Sequence, residues 1–244
     1  MDSLNLVIPV YNEKDNILKT FKEIEKKVKQ KKIHIYIVYD FAEDNTLPVI
    51  NRYLEEHNIF EIELIKNKYG RGVLNAIKTG IESVDSGPIV VVMADLSDDL
   101  ESVNSMIALY NKGYNVICGS RYMTGGKQFG GPFYKSFLSR MAGVSLYYLI
   151  QIPTHDVTNS FKLYDKAIFK DIVIRSKGGF ELGMEITIKG FIKGYKIGEV
   201  PTIWHDRVDG SSNFRFWQWL PSYMKWYLYA LLYGNPLIRL LRKL

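Results

Sequence analysis

The chain of 244 residues carries one cysteine, Cys118, which excludes an intramolecular disulfide framework and a multi-cysteine zinc site. Proline and glycine are sparse, at 8 and 19 residues, and charged residues make up an ordinary 24%. That balance argues against a disordered or fibrous chain. No run approaches the ~18–20 uncharged apolar residues of a membrane span. The apolar run Leu4–Val10 lacks the basic flank of a signal peptide. These absences predict a soluble or peripheral intracellular protein. What is present is 47% hydrophobic residues, enough for a large α/β domain to bury a core. A formal charge of +6 suits anionic partners without choosing among them. Its densest stretch, Lys26, Lys27, Lys29, Lys31 and Lys32, reads as the wet side of a helix with its own core stripe. No zinc-finger pattern or aromatic-interleaved RNA signature accompanies it, so no nucleic acid is expected.

Apolar β-type runs alternate with helix-period segments. Strands are predicted at Leu4–Val10, Ile33–Tyr39, Glu61–Ile65, Ile89–Met93 and 115–118. Helices are predicted over 14–30, where Ile17, Phe21, Ile24 and Val28 share a face, and over 47–57, 73–84 and 99–112. Asp44-Asn45-Thr46 offers capping residues to the second of these helices. The rhythm predicts a parallel sheet with helices on both faces. Ligands of such sheets bind beyond the carboxyl ends of the strands. There the sequence places Asn12, Glu13, Asp40, Asp44, Asp95, Asp98, Asp99 and Arg121. Gly125-Gly126 and Gly130-Gly131 then suggest a mobile loop.

Asp95 follows Val90-Val91-Val92-Met93-Ala94, with Asp98 and Asp99 within the next turn. Carboxylates on one short loop suit a hard cation such as Mg2+ or Mn2+; helix capping by Ser97 or Asp98 is the plainer alternative. Tyr11, after the first strand, could stack on a nucleobase, and Asp40 could accept its imino proton. Gly70-Arg71-Gly72 has the look of a phosphate-cradling turn, a weak signal alone. His155 and His205 read as hydrogen-bonded loop residues, and Cys118 as a small core residue.

In order, IPVYNE (8–13), YDFAEDNT (39–46), GRGVLNAIKTG (70–80), VVVMADLSDD (90–99), GSRYMTGG (119–126), DVTNSFKLY (156–164), FELGMEI (180–186), GYKIGEVP (194–201) and DRVDGSSNF (206–214) resemble the family-2 glycosyltransferases of GT-A fold. Within that family the chain is most similar to the dolichyl- or polyprenyl-phosphate sugar synthases. The resemblance covers about residues 4–215. It implies a mostly parallel, Rossmann-like α/β sheet and a metal-dependent inverting transferase. The donor would be a nucleotide-diphosphate sugar, UDP- or GDP-linked, and the cofactor Mg2+ or Mn2+. It implies donor contacts at Pro9, Tyr11, Glu13, Asp40 and Gly70, and a metal site at Asp95 with Asp98 and Asp99. Catalytic roles fall to Asp95, Arg121, Asp156, Glu181 and Arg207. Lys135 and Ser139 match the acceptor-phosphate positions, and Arg207 with Ser212 matches the loop that closes over the donor.

Departures from the family's pattern touch the metal and the acceptor. The first acid of the D-x-D motif is Met93, the second-strand acid pair is reduced to Tyr39-Asp40, the closing-loop lysine is Asn213, and Lys135 replaces an arginine. Lysine keeps the charge and loses the bidentate fork. The domain boundary is drawn after residue 213, with 214–244 an amphipathic helical extension. It holds Phe214, Phe216, Trp217, Trp219, Tyr223, Trp226, Tyr227, Tyr229 and Tyr233 among basic residues. Such rings suit the headgroup zone of a membrane or packing on the catalytic domain or a second subunit, as in a homodimer. The expected acceptor is a polyprenyl (dolichyl) phosphate at the cytoplasmic membrane face. Alternatives are transfer to a saccharide hydroxyl during polysaccharide or glycolipid synthesis, with Asp156 or Glu181 as base, and a degenerate nucleotide-binding protein without turnover.

Overall fold

The structure, a computed structural model, describes residues 3–206 and 216–235. Strands β1 (Leu4–Val10), β2 (Ile33–Tyr39), β3 (Glu61–Lys66) and β4 (Pro88–Val91) alternate with helices α1 (Ile17–Lys27), α2 (Thr46–Glu56) and α3 (Val73–Ser83). Helix α4 (Ser102–Tyr110) leads to β5 (Val116–Ser120), β6 (Lys127–Phe129) and the long α5 (Phe133–Ile150). The chain continues through β7 (Lys162–Asp165), a 3-10 turn, α6 (Glu181–Lys193), β8 (Ile197–Pro201), β9 (Ile203–His205) and α7 (Phe216–Tyr233).

Seven strands form one sheet in the order β3-β2-β1-β4-β7-β5-β8. All pairings are parallel except those of β7, which runs antiparallel between β4 and β5. Alternation along the strands splits the core in two. Val7, Val38, Val91 and Cys118 face one side, with α3, α6 and α7 packed there. Leu6, Ile8, Ile35, Ile37, Val90 and Val92 face the other, under α1, α2 and α4. Pro9 sits inside β1 without cost to the ladder. The Val7 carbonyl accepts from Val92 N–H, so odd residues of β1 turn their main chain toward β4, whose pairing ends before Pro9.

The element ends that differ from expectation have identifiable causes. Helix α1 begins at Ile17 rather than 14 because the preceding turn is tied elsewhere. Asn12 N–H donates to Asp44 Oδ2 and Glu13 N–H to Thr46 Oγ1. Strand β4 stops at Val91 because Met93 N–H turns to Asp98 Oδ2, 3.0 Å away. Helix α4 starts at Ser102 rather than 99 because Asp99 folds the turn before it, accepting from Glu101 N–H and Ser102 Oγ. Strand β7 escaped the sequence reading: it is four residues long and begins with Lys162, a charged residue buried in the sheet, so its polarity pattern hides it. The glycine pair at 125–126 leads into a two-stranded ribbon, where β6 pairs with β9, in place of the mobile loop expected. A Cβ on Gly126 would lie 2.3 Å from the Ser120 carbonyl, so close approach demands glycine there.

Helix α5 crosses the 155–156 loop at Gly143, where a Cβ would fall 1.9 Å from the His155 carbonyl. Backbone cannot yield as a flexible side chain does. Gly143→Ala should therefore lower stability by about 2 kcal/mol, in the range typical of overpacking, with a matching fall in thermal midpoint; an unchanged midpoint would refute the close contact.

Candidate functional site

Six parallel strands end on one edge of the sheet, and β7, running the other way, begins there. At that edge β1 and β2 release Tyr11, Asp40 and Phe41. Tyr11 is half exposed and meets the Phe41 ring edge-on at 5.6 Å. The Arg71 guanidinium lies 4.9 Å from the same ring. Asp40 accepts from Asn67 Nδ2 at 2.7 Å and Gly72 N–H at 2.9 Å, holding the 67–72 turn against β2. Gly70 and Gly72 adopt φ of 84° and 129°, conformations that suit glycine. Glu13 takes a bond from Asn16 at 2.8 Å and belongs to the turn that starts α1. These residues form a shallow aromatic and acidic shelf.

Beyond β4 the acidic loop divides its work. Asp95 Oδ1 accepts from Ser97 N–H, and Asp95 and Asp98 both line the adjoining cavity. Asp98 also holds Met93 N–H. Its carboxyl is pushed up to about 7 by burial, against the pull of that N–H and with the nearby Asp95 charge adding to the rise. Asp99 caps the turn before α4, as described above, and does not line the cavity. Among the described residues no three His, Cys, Asp or Glu side chains gather closely enough to hold a metal ion alone. Oxygen donors from Asp95, Asp98 and Ser97 suit a hard cation, and crowded carboxylates would be relieved by one. Met93 offers such an ion nothing.

Arg121, directly after β5, makes the site's central ion pair. Its Nε meets Asp156 Oδ2 at 2.7 Å and its second amino group meets Oδ1 at 3.0 Å. The same group donates to Ser139 and Thr158, whose hydroxyls touch each other. Asp156 is fully buried and also accepts from the main-chain N–H of Arg121 and Asn159. Burial alone would favour the neutral form of each group. The pair's charges and hydrogen bonds outweigh that, holding Asp156 below the usual carboxylate range and Arg121 protonated more firmly than usual. Buried Lys162 donates to the carbonyls of Asp156 and Asn159, bracing the loop from beneath.

A cavity of about 630 Å³ opens beside this pair. Its lining combines polar groups, Asp95, Asp98, Arg121, Lys135 and Ser139, with apolar side chains, Leu138, Met141, Met184, Leu220, Met224 and Tyr227. Gln128, Trp204 and Asp206 form a third wall. Of the expected site residues, Asp95, Asp98, Arg121, Lys135 and Ser139 therefore converge, with Asp156 behind Arg121. Glu181 stands apart: it is fully buried, and its carboxylate accepts from the N–H groups of Gly178 and Gly179. Pro9, Tyr11, Glu13, Asp40 and Gly70 lie toward the shelf on β1 and β2. Arg207 and Ser212 fall outside the described residues. His155 donates its main-chain N–H to Glu199, and its ring meets the same carboxylate while stacking on Tyr147.

The sequence reading missed helix α5; it did expect a helical extension at 214–244 whose rings could pack on the catalytic domain, as α7 does. Phe133, Phe137 and Met141 recur every four residues, a helical signal that the flanking glycines obscured. All three are exposed, at 82%, 51% and 51%. On α7 most rings turn inward: Trp226 is buried, Tyr227 bonds Ser145 at 2.9 Å, and Trp219 packs on Gly179 and Phe180. Met224, Leu228 and Leu232 face out. Among the described residues no helix is long and apolar enough to cross a membrane.

The sequence profile described as "Glycosyl transferase family 2" matches residues 5–173. The chain belongs to that family. It is 27% identical over 233 residues to a dolichol-phosphate mannosyltransferase of Pyrococcus furiosus, covering 91% of this chain and 64% of the relative. A glycosyltransferase of Synechocystis is 28% identical over 176 residues, covering 69% of this chain and 52% of the relative. The chain thus spans about half to two thirds of the length of these curated relatives. Glucosyl-3-phosphoglycerate synthase of Mycobacterium tuberculosis, solved with Mn2+, UDP-glucose and phosphoglyceric acid, superposes with a TM-score of 0.68. It shares 12% identity, over 96% of this chain and 81% of that one. At that identity the likeness bears on the fold, which is of the GT-A type.

The Arg121–Asp156 geometry makes a testable demand. Asp156→Asn should cost about 3 kcal/mol at pH 7, as breaking a buried pair does. A carboxylate held below its unfolded value adds stability above about pH 4 and loses it as pH falls through the folded value. The gap between wild type and variant in urea denaturation should therefore narrow below about pH 4. A gap independent of pH would refute the charge pairing.

Proposed function

We propose that this family member transfers a sugar from a nucleoside-diphosphate donor to a polyprenyl phosphate at a membrane surface. The observation that carries the reading is the mixed lining of the cavity. Arg121, Lys135 and Ser139 offer a phosphate cations and a hydroxyl, and apolar side chains of α5 and α7 line the same cavity, as a prenyl chain would require. The name of the Pyrococcus relative agrees with a lipid-phosphate acceptor.

In this reading the shelf at Tyr11 and Asp40 receives the nucleobase, with Pro9, Glu13 and Gly70 shaping its rim, and places the diphosphate over the Asp95 loop. Asp95 with Asp98 would hold a divalent cation, Mg2+ or Mn2+, whose chemistry is to neutralise the departing diphosphate. Arg121, locked by Asp156, holds fixed positive charge where negative charge grows, at no reorganisation cost during reaction. An acceptor phosphate oxygen attacks the anomeric carbon from the face opposite the leaving group. A C–O bond forms as the bond to the β-phosphate breaks, and the nucleoside diphosphate leaves with the electron pair. Configuration inverts. The acceptor is ionised already, so no strong base is needed. The carboxylates that a hydroxyl acceptor would call on, Asp156 and Glu181, are already saturated by the guanidinium and main-chain N–H groups.

Membrane contact follows from the same elements. Phe133, Phe137, Met141, Met224, Leu228 and Leu232 are exposed on α5 and α7, with Arg140 and Lys225 exposed among them. Apolar side chains rimmed by cations suit an anionic lipid surface. Phe133→Glu with Phe137→Glu should weaken sedimentation with anionic phospholipid vesicles by at least about tenfold; binding as strong as wild type would remove this face from membrane contact.

The deciding assay gives the purified protein labelled nucleotide sugars, Mg2+ or Mn2+, and a short polyprenyl phosphate, with counts read in the organic phase. Label should enter the lipid with metal present. Asp95→Asn should reduce transfer at least about 100-fold while leaving the thermal midpoint near that of wild type. Transfer only to added saccharides would overturn the acceptor assignment, and near-full turnover by Asp95→Asn would overturn the role of that loop.

A further inference from the structure

Helix α7 carries three inward polar ring tips in the stretch facing α5 and α6. Trp226 donates its indole N–H to Ser176 at 2.9 Å, and Tyr227 shares a hydrogen bond with Ser145 at 2.9 Å. Tyr223, one turn before Tyr227, lines the cavity. Its ring packs against the large apolar cluster, and its hydroxyl makes no hydrogen bond among the described residues. Partly buried tyrosines normally satisfy that group. Tyr223 shares the cavity lining with Arg121, Ser139, Leu220 and Met224 and feels the charges of Arg121, Asp156 and Glu181. Burial, with the nearby Glu181 charge, pushes the phenol well above its ordinary value despite the opposing pull of Arg121.

We propose that Tyr223 is an acceptor-binding residue whose hydroxyl donates to the acceptor phosphate, beside Arg121, and so selects a phosphate-headed lipid over one ending in a hydroxyl. This rests on the lipid-phosphate reading above. The donor's diphosphate has the same chemistry. The acceptor is favoured because Tyr223 stands on α7, among the apolar residues that a prenyl chain would cover, and not on the elements that form the nucleotide shelf. Three elements then turn donors toward one anion: the turn after β5 with Arg121, α5 with Lys135 and Ser139, and α7 with Tyr223. A hydroxyl-terminated lipid could not satisfy all three, and donors left unmatched in a buried site weigh against the wrong ligand.

The test is Tyr223→Phe, which keeps the ring and its packing. Transfer is measured against varied short polyprenyl phosphate and, separately, against varied nucleotide sugar, with nucleoside-diphosphate affinity taken by calorimetry. The expected result is a KM for the polyprenyl phosphate raised about tenfold, as loss of a hydrogen bond to a charged group implies, with donor KM and nucleoside-diphosphate affinity unchanged. A merely structural role would shift both substrates together. If wild type transfers to the lipid and the variant shows the same acceptor KM, Tyr223 is overturned and the lipid-phosphate reading stands. If donor KM rises in place of acceptor KM, the hydroxyl serves the diphosphate and the proposal fails. If wild type itself does not transfer to polyprenyl phosphate, both readings fail together.

Discussion

The site hangs on one buried ion pair. Arg121 and Asp156 are 35 residues apart in sequence, and they meet because β7 reverses direction within an otherwise parallel sheet. Strand β5 ends where β7 begins, so the arginine leaving one strand faces the loop entering the other. Bidentate pairing fixes the guanidinium plane, and its remaining donors then order Ser139 of α5 and Thr158. Asn159 and Lys162 lock the same loop to β5 and to its own carbonyls. A charge this well partnered can stand in a partly dehydrated cavity without collapsing onto a substrate-binding carboxylate. Its preorganisation is what electrostatic catalysis requires.

Two kinds of acidic residue emerge from that frame. Asp44, Asp99, Asp156, Glu181 and Glu185 spend their oxygens on main-chain N–H groups or on a cation of the protein, and they shape loops. Asp95 and Asp98 combine such bonds with a place on the cavity wall. Read from strand ends, Asp44, Asp95, Asp98 and Asp99 look equally eligible. Burial and hydrogen-bond saturation separate them. A side chain whose lone pairs already have donors is a poor proton acceptor and a poor ligand, whatever its position in a motif.

Helices α5 and α7 give the fold its asymmetry. Each is apolar on more than one side: Leu146, Ile150, Trp226 and Ala230 enter the core, while Phe133, Phe137, Leu228 and Leu232 remain outside. Both also wall the cavity, through Leu138, Met141, Leu220 and Met224. A glycine at 143 lets α5 lie directly on the His155 carbonyl, which brings Ser139 within reach of Arg121.

The α/β alternation, helices on both faces of the sheet and the strand-end positions of Asp40, Asp95 and Arg121 are legible in local side-chain pattern alone. Strand and helix periods follow from local side-chain patterning, and β2 matches its apolar run residue for residue, Ile33–Tyr39. Local pattern could not reveal β7, because a buried lysine breaks the apolar run, nor α5, whose period follows two glycine pairs. Long-range contacts settle which carboxylates are spent, that Asp156 orients Arg121, and that Tyr223 lines the cavity without a hydrogen bond among the described residues. Those properties depend on contacts between residues far apart in the chain. Periodicity carries no information about such contacts.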